Sequence, residues 1–213
     1  MSALSREQIA ARVAQDIPDG AYVNLGIGVP TLVADFLPED RQVVLHTENG
    51  MLGMGRAAVG DEIDDDLINA GKIFVTETTG ASYFHHADSF AMMRGGHIDV
   101  CVLGAYQVSR KGDLANWRTN SPTVIPGVGG AMDLAVGARA VYVVMDLFSK
   151  AGESKLVAEC TYPLTAKGCI DRAYTDVALF EFGDGDPVVR EIYDDVTFDQ
   201  LRERVGIPLV DGR

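Results

Sequence analysis

The order of short apolar runs and glycine-rich turns constrains the fold of this chain more than any other feature. An apolar run at residues 21–25 enters the turn Gly26-Ile27-Gly28-Val29-Pro30. A helix is predicted for residues 30–37, and a second apolar run follows at residues 43–46. Strand, glycine turn, helix and strand in this order are typical of a βαβ unit, in which the two strands are parallel. The sequence therefore predicts an α/β fold.

The remaining apolar runs continue this pattern along the chain. Further strands are predicted at residues 73–76, 100–103, 141–145 and 177–182. Helices are predicted at residues 5–16, 87–94 and 197–204. The near-continuous aliphatic runs suit strands that are covered on both faces. Because no repeat or linker interrupts the pattern, we expect residues 1–213 to form a single domain with a mostly parallel sheet covered by helices.

The charge of the chain limits its partners. Eighteen Lys and Arg against 31 Asp and Glu give a formal net charge of −13, which repels nucleic-acid phosphates and anionic lipid head groups. The sequence has no uncharged run of about 18 residues, as a membrane-spanning helix requires, and its first residues show no secretory signal pattern. We therefore expect no nucleic-acid partner, no membrane partner and a cytoplasmic location.

The turn after the first strand resembles a dinucleotide-binding loop only in part. Gly26-Ile27-Gly28 follows a strand and precedes a helix, but the third glycine of that fingerprint would fall at Thr31, and Pro30 intervenes. We interpret Gly26 and Gly28 as a tight turn that passes close to a neighbouring backbone.

The histidines and cysteines do not predict a metal site. His85-His86 lies beside Asp88, but adjacent residues point in different directions and rarely bind one metal together. The isolated His46 and His97 are interpreted as hydrogen-bonded structural residues. The three cysteines lack Cys-x-x-Cys spacing, which predicts neither a disulfide framework nor a zinc site.

Glu48 is the carboxylate with the strongest case for a function. It comes directly after a predicted buried strand, and the carboxyl ends of parallel strands line the ligand crevice of open α/β sheets. The alternative is that Asn49-Gly50 forms a tight hairpin turn that Glu48 merely flanks. Residues 51–55 are glycine-rich, and we do not expect them to form a return strand.

A second glycine-rich segment, residues 126–134, opens a predicted helix. Consecutive free backbone N–H groups in such a loop suit an anion or a developing oxyanion. The candidate donors are the amides of Gly129, Gly130 and Ala131, and Gly127 belongs to the same candidate loop.

Several motifs along the chain, taken in their order, resemble the motifs of a single protein family. Thr47-Glu48-Asn49-Gly50 is followed by Gly53-Met54-Gly55, and longer motifs lie at residues 24–31, 93–99, 111–117 and 127–134. In this order they resemble the β (B) subunit of family I coenzyme A transferases, whose signature is Ser-Glu-Asn-Gly. The resemblance covers nearly the whole chain. Thr47 replaces the usual serine and retains its hydroxyl.

The resemblance implies a CoA-transferase-like fold and a ping-pong reaction with Glu48 as the nucleophile. The glutamate would form an acyl anhydride and then a glutamyl-CoA thioester, so CoA is a substrate and no cofactor is bound permanently. Amides of the second glycine-rich segment would stabilise the oxyanion, and Asn49 and Gly50 would shape the turn. An α (A) subunit would complete the active site. Local basic residues, loop amides or that partner must supply positive potential for the polyanionic CoA.

The acceptor acid is indicated by two further segments. Residues 83–90 and 152–165 look most like the 3-oxoadipate:succinyl-CoA transferases, and acetoacetate:succinyl-CoA transferases are an alternative. His85 or His86 is a candidate for binding the distal carboxylate of a dicarboxylic acceptor, with a packing role as the alternative.

Two other classes of function are considered. One is a sugar-phosphate isomerase or deaminase on a related scaffold, against which the long motif around Glu48 argues. The other is a ligand-sensing or regulatory subunit that is not an enzyme.

Overall fold

The structure is a computed structural model that describes residues 3–120, 127–193 and 195–213. Its α-helices are α1 (Arg6–Asp16), α2 (His86–Arg94), α3 (Ala131–Gly137) and α4 (Phe198–Val205). Two 3₁₀ helices span Val29–Phe36 and Gly60–Glu62. The strands are β1 (Tyr22–Leu25), β2 (Val44–Thr47), β3 (Met51–Ala57), β4 (Val75–Tyr83), β5 (Val100–Gly104), β6 (Gln107–Ser109), β7 (Leu114–Ala115), β8 (Ala140–Met145), β9 (Leu156–Val157), β10 (Arg172–Thr175), β11 (Ala178–Glu181), β12 (Val188–Ile192) and β13 (Val210–Asp211).

A ten-stranded sheet dominates the fold, in the order β13-β12-β11-β10-β8-β5-β1-β2-β3-β4. The five central strands, from β10 to β2, are parallel to one another. Antiparallel pairs extend the sheet at both sides, through β3 and β4 at one and through β11 and β12 at the other. Strands β7, β6 and β9 form a small second sheet. The predicted α/β fold with a mostly parallel sheet is confirmed.

Both faces of the large sheet are buried. Cys101 and Leu103 of β5 belong to one hydrophobic cluster, together with residues of α3 and α4. Val100 and Val102 of the same strand belong to a second cluster, which contains the apolar face of α1. Alternate residues of one strand therefore pack on opposite layers, which explains why its sequence is continuously apolar.

The order of the central strands creates a crevice. From β1 the chain crosses to β2 on one side, and it later returns to β5 on the other side of β1. In open α/β sheets such a reversal leaves a gap at the carboxyl ends of the strands, where the loops turn away in opposite directions. The ends of β1 and β5 in this chain lie at that reversal.

Several predicted elements need correction. Residues 51–55 were not expected to form a strand, but β3 spans Met51–Ala57 and pairs with β2 and β4. Its glycines are required there, because a Cβ at Gly53 would lie 2.9 Å from Oγ1 of Thr78, and one at Gly55 would overlap Oγ1 of Thr76. Glycine in a strand here marks close approach to a neighbour and not the absence of a strand.

Other boundaries also differ from the predictions. The helix predicted at 30–37 is the 3₁₀ helix Val29–Phe36, a tighter form that covers about 2.0 Å per residue and so crosses between β1 and β2 in few residues. The strand predicted at 73–76 begins at Val75 and continues to Tyr83. Strands β10 and β12 were not predicted. The extent of a single domain over residues 1–213 stays a prediction.

Candidate active site

A cavity of about 440 Å³ lies at the carboxyl ends of the central strands. Residues that follow four of these strands line it: Gly26 after β1, Glu48 after β2, Gly104 at the end of β5 and Asp146 after β8. Residues 127–131 of the second glycine-rich segment form part of the wall, and Asn116 and Trp117, which follow β7, line it as well. The cavity therefore brings together the two segments that the sequence singled out.

Glu48 lies in the turn between β2 and β3. The carbonyl of Thr47 accepts the N–H of Gly50 at 3.1 Å, and the hydroxyl of Thr47 accepts the N–H of Met51 at 3.2 Å. Glu48 is in a hairpin turn, as the alternative interpretation has it, and it also lines the cavity, so the hairpin does not exclude a function; that function stays a prediction. The three-residue loop lets the side chain leave the sheet at its edge.

Gly50 and Asn49 hold this turn in place. Gly50 has φ +121°, and a Cβ there would overlap the carbonyl oxygen of Phe84. Only glycine fits both the conformation and the space. The side-chain amide of Asn49 donates to the carbonyl of Ile68 at 2.9 Å, which ties the turn to the loop between β3 and β4.

The backbone at Gly130 packs directly against the Glu48 carboxylate. A Cβ at Gly130 would overlap Oε2 of Glu48, and it would also lie 3.3 Å from Cζ of Phe90. Gly130 is buried and has an ordinary φ of −83°. A side chain at this position would therefore push the Glu48 carboxylate out of its place, although the backbone conformation would allow one.

The backbone N–H groups of residues 129–131 differ in whether they already donate a hydrogen bond within the protein. The N–H of Ala131 donates to the carbonyl of Val128 at 3.3 Å, so it is engaged within the turn. Within residues 3–120, 127–193 and 195–213, the N–H groups of Gly129 and Gly130 have no acceptor. Ala131 therefore does not fit the expectation of a free amide, and the role of Gly129 and Gly130 as donors stays a prediction. Gly127 is exposed and lines the cavity; Pro126, where the predicted loop begins, lies outside the described residues.

The first glycine-rich turn approaches β5 as expected. The N–H of Gly26 donates to the carbonyl of Val102 at 2.8 Å, and a Cβ at Gly26 would lie only 3.0 Å from that oxygen. Gly28, with φ +93°, starts the 3₁₀ helix and does not line the cavity.

His46 is buried next to the site and is hydrogen-bonded, as the sequence predicted. It is 2% exposed, its Nδ1 lies 2.9 Å from the amide nitrogen of Asn24, and its Nε2 lies 2.9 Å from Oγ of Ser89. Burial lowers the pKa of His46 to about 4, because the interior disfavours the charged imidazolium. The ring is therefore neutral near pH 7.

His85 and His86 lie apart from the cavity lining. The Nδ1 of His85 accepts the N–H of Ala87 at 3.1 Å and caps α2, and the His86 ring packs on Phe90 with 4.7 Å between ring centroids. Both histidines are exposed. Phe90 connects His86 to the site, since Cζ of Phe90 lies 3.3 Å from where a Cβ on Gly130 would stand.

Two basic residues of the lining were not anticipated from the sequence. Arg6, at the start of α1, and Lys155, just before β9, both line the cavity. Lys155 is half-buried, and no carboxylate among the described residues forms an ion pair with it. Lys155 belongs to a segment that carries part of the family resemblance, but only the folded topology brings it beside the carboxyl ends of the strands.

The described residues offer no cluster of three or more His, Cys, Asp or Glu side chains that could hold a metal ion. None of the helices described is long and apolar enough to cross a membrane.

Comparisons with known proteins agree with this fold. The family model "Coenzyme A transferase" matches residues 6–204. The B subunit of a 3-oxoadipate CoA-transferase of Pseudomonas putida is 61% identical over 207 residues, which covers 97% of this chain and 97% of the relative. The B subunit of a succinyl-CoA:3-ketoacid coenzyme A transferase of Helicobacter pylori is 48% identical over 199 residues, covering 93% and 95%. The chain belongs to the coenzyme A transferase family.

Within that family the chain corresponds to the proteins named as B subunits, which it matches along nearly their whole length. Among solved structures, an acyl-CoA transferase of Escherichia coli O157:H7 covers 100% of this chain with a TM-score of 0.74 at 18% identity. This chain spans 42% of that protein's chain. At this identity the likeness supports the fold alone.

The buried neutral His46 predicts a specific loss of stability in mild acid. Its pKa is lowered to about 4 in the folded protein from an ordinary 6.5, so the unfolded chain binds the extra proton first as the pH falls. The free energy of unfolding should therefore fall by about 2 kcal/mol more in the wild type than in His46→Gln between pH 7 and pH 5. Urea denaturation at both pH values measures this difference. Parallel losses in the two proteins would contradict it.

Proposed function

We propose that this chain is the glutamate-bearing subunit of a CoA transferase that moves CoA from succinyl-CoA to 3-oxoadipate. The observation that carries the proposal is the packing of the Gly130 backbone against the Glu48 carboxylate inside one cavity. The family membership and the 61% identical relative support the reaction class and the acceptor. A cytoplasmic location stays a prediction.

The reaction proceeds in two displacements on Glu48. An oxygen of the carboxylate attacks the thioester carbonyl of succinyl-CoA, the C–S bond breaks, and CoA leaves as the thiolate. The thiolate then attacks the Glu48 carbonyl carbon of the mixed anhydride, and succinate leaves with one oxygen that came from Glu48. The acceptor carboxylate reverses both steps. A carboxylate is ionised near neutral pH, so no neighbouring base is required for the attack.

The N–H groups of Gly129 and Gly130 are the proposed oxyanion donors. They belong to the segment that faces Glu48, and they are free of acceptors among the described residues. A preorganised donor of this kind contributes roughly 2.7–4 kcal/mol to the transition state. Gly127 and Ala131 belong to the same segment, and we propose that they give the loop its shape and contact CoA.

Arg6 and Lys155 supply positive charge where the chain as a whole carries −13. Both substrates are anions, and a cation in a partly buried cavity attracts them more strongly than one on an open surface. The remaining charge for CoA, a polyanion, comes from an α (A) subunit that pairs with this chain. The names of the relatives, which describe them as B subunits, support such a partner. CoA is a substrate here, and no permanently bound cofactor is proposed.

Glu48 as nucleophile predicts a covalent adduct. The chain co-expressed with its neighbouring α subunit and incubated with succinyl-CoA in the absence of an acceptor should gain the mass of CoA on the Glu48 peptide. Glu48→Ala should lose the adduct and at least ~10³-fold in kcat, as is typical when a nucleophile is removed. Glu77→Ala, an exposed glutamate outside the lining, is the matched control and should retain both. Activity and adduct that survive in Glu48→Ala would refute the mechanism and would favour a regulatory role for the chain.

The acceptor is tested separately. We expect a higher kcat/KM with 3-oxoadipate than with acetoacetate, and acetoacetate is the alternative that the 48% identical relative supports. If His85 or His86 binds the distal carboxylate, replacing both with alanine should lower the 3-oxoadipate to acetoacetate ratio of kcat/KM by about tenfold, the value of one charge-assisted hydrogen bond. An unchanged ratio would leave the two histidines with their capping and packing roles on α2.

A further inference from the structure

Three buried polar side chains connect the central strands to the turn that carries Glu48. Asn24 on β1 is 3% exposed, His46 on β2 is 2% exposed, and Ser89 on α2 is 0% exposed. A buried polar group is costly unless it is hydrogen-bonded, and these three bond to one another in series. Asn24 and His46 also reach the lining of the cavity.

The direction of each bond in this series can be derived. The amide nitrogen of Asn24 lies 3.2 Å from the carbonyl of His46, to which it can only donate. The same NH₂ group therefore donates its second proton to Nδ1 of His46 at 2.9 Å. A neutral ring that accepts at Nδ1 carries its proton on Nε2, so it donates to Oγ of Ser89 at 2.9 Å. The Ser89 hydroxyl then donates to the carbonyl of Thr47 at 3.3 Å.

The series ends on the peptide group that leads into Glu48. The same Thr47 carbonyl accepts the N–H of Gly50 and so closes the turn. Within the described parts of the chain, nothing donates a hydrogen bond to the Glu48 carboxylate. Its oxygens are thus free to react, and the direction of its side chain depends on how the backbone of the turn is held.

We infer that His46 and Ser89 are positioning residues, which fix the Thr47–Glu48 peptide through hydrogen bonds from Asn24 and so aim the Glu48 carboxylate at the thioester. The inference rests on the proposed role of Glu48 as nucleophile. The His46 ring is the middle of the series and has to stay neutral, because a proton on Nδ1 would remove the acceptor that Asn24 uses. The Phe84 ring lies nearly parallel to the His46 ring, with 16° between the ring planes and 6.2 Å between the centroids.

The first test compares two buried serines. Ser89→Ala removes the last link, and Ser109→Ala removes an equally buried hydroxyl that bonds Asp113 on another loop. In the complex with the α subunit, Ser89→Ala should slow single-turnover formation of the Glu48–CoA thioester about 10- to 100-fold, the cost of a misplaced reacting group, while KM for succinyl-CoA changes less than about twofold. Ser109→Ala should form the adduct at the wild-type rate. Equal rates for Ser89→Ala and the wild type would overturn the inference.

If Ser89→Ala fails to fold, a second pair of variants tests the positioning role of His46. The amide of His46→Gln reaches the position of Nε2 and retains a donor for Ser89, whereas the amide of His46→Asn reaches only the position of Nδ1. The adduct should form faster in His46→Gln than in His46→Asn, and equal or reversed rates would overturn the inference. The variant Glu48→Ala, measured in parallel, distinguishes failure of the proposed function from failure of this inference. If a CoA adduct still forms in Glu48→Ala, the proposal that Glu48 is the nucleophile is refuted. If the adduct forms on Glu48 at the same rate in the wild type and in the Ser89 and His46 variants, only the positioning role is refuted.

Discussion

The contact between the Gly130 backbone and the Glu48 carboxylate is the constraint on which the rest of the site depends. It involves a hairpin turn at the end of β2, a glycine where any side chain would displace the Glu48 carboxylate, and a helix, α3, that begins directly after this glycine. Parallel strands with a reversal between β1 and β5 provide that edge. A carboxylate packed against backbone whose N–H groups have no acceptor among the described residues is suited to forming an acyl intermediate and stabilising its oxyanion.

Because the chain carries a large negative net charge, binding of an anionic substrate at the site depends on the groups that line the cavity. A chain with a net charge of −13 repels polyanions over most of its surface. The cavity is less acidic than the chain as a whole, because Arg6 and Lys155 line it together with Glu48 and Asp146. In the proposed mechanism burial matters equally, since the anhydride and the thioester would both hydrolyse if water entered. The proposed partner subunit would meet both needs if it covered the open side of the cavity.

The sequence predicts four of the five central parallel strands, β1, β2, β5 and β8, because residues covered on both faces are almost all apolar, as in β5 and β8. It fails where glycine or polar residues form strands for reasons of packing, as in β3, or in β10, where Arg172 forms ion pairs with Asp16 and Glu181. Motif spacing brought out Glu48 and the second glycine-rich segment. Lys155 and the series from Asn24 to Ser89 could not be found in this way, because they meet only through contacts between residues that are far apart in the chain, such as the 43-residue separation of His46 and Ser89.

The most direct test of the account follows oxygen atoms. The complex with the α subunit is incubated with succinyl-CoA and succinate labelled with ¹⁸O in its carboxylates, and the Glu48 peptide is then weighed by mass spectrometry. Because the acceptor carboxylate attacks the glutamyl thioester and leaves one oxygen behind when CoA departs with the acyl group, Glu48 should gain ¹⁸O. CoA exchange into labelled succinate with an unlabelled Glu48 would contradict the anhydride mechanism and the central role of this residue.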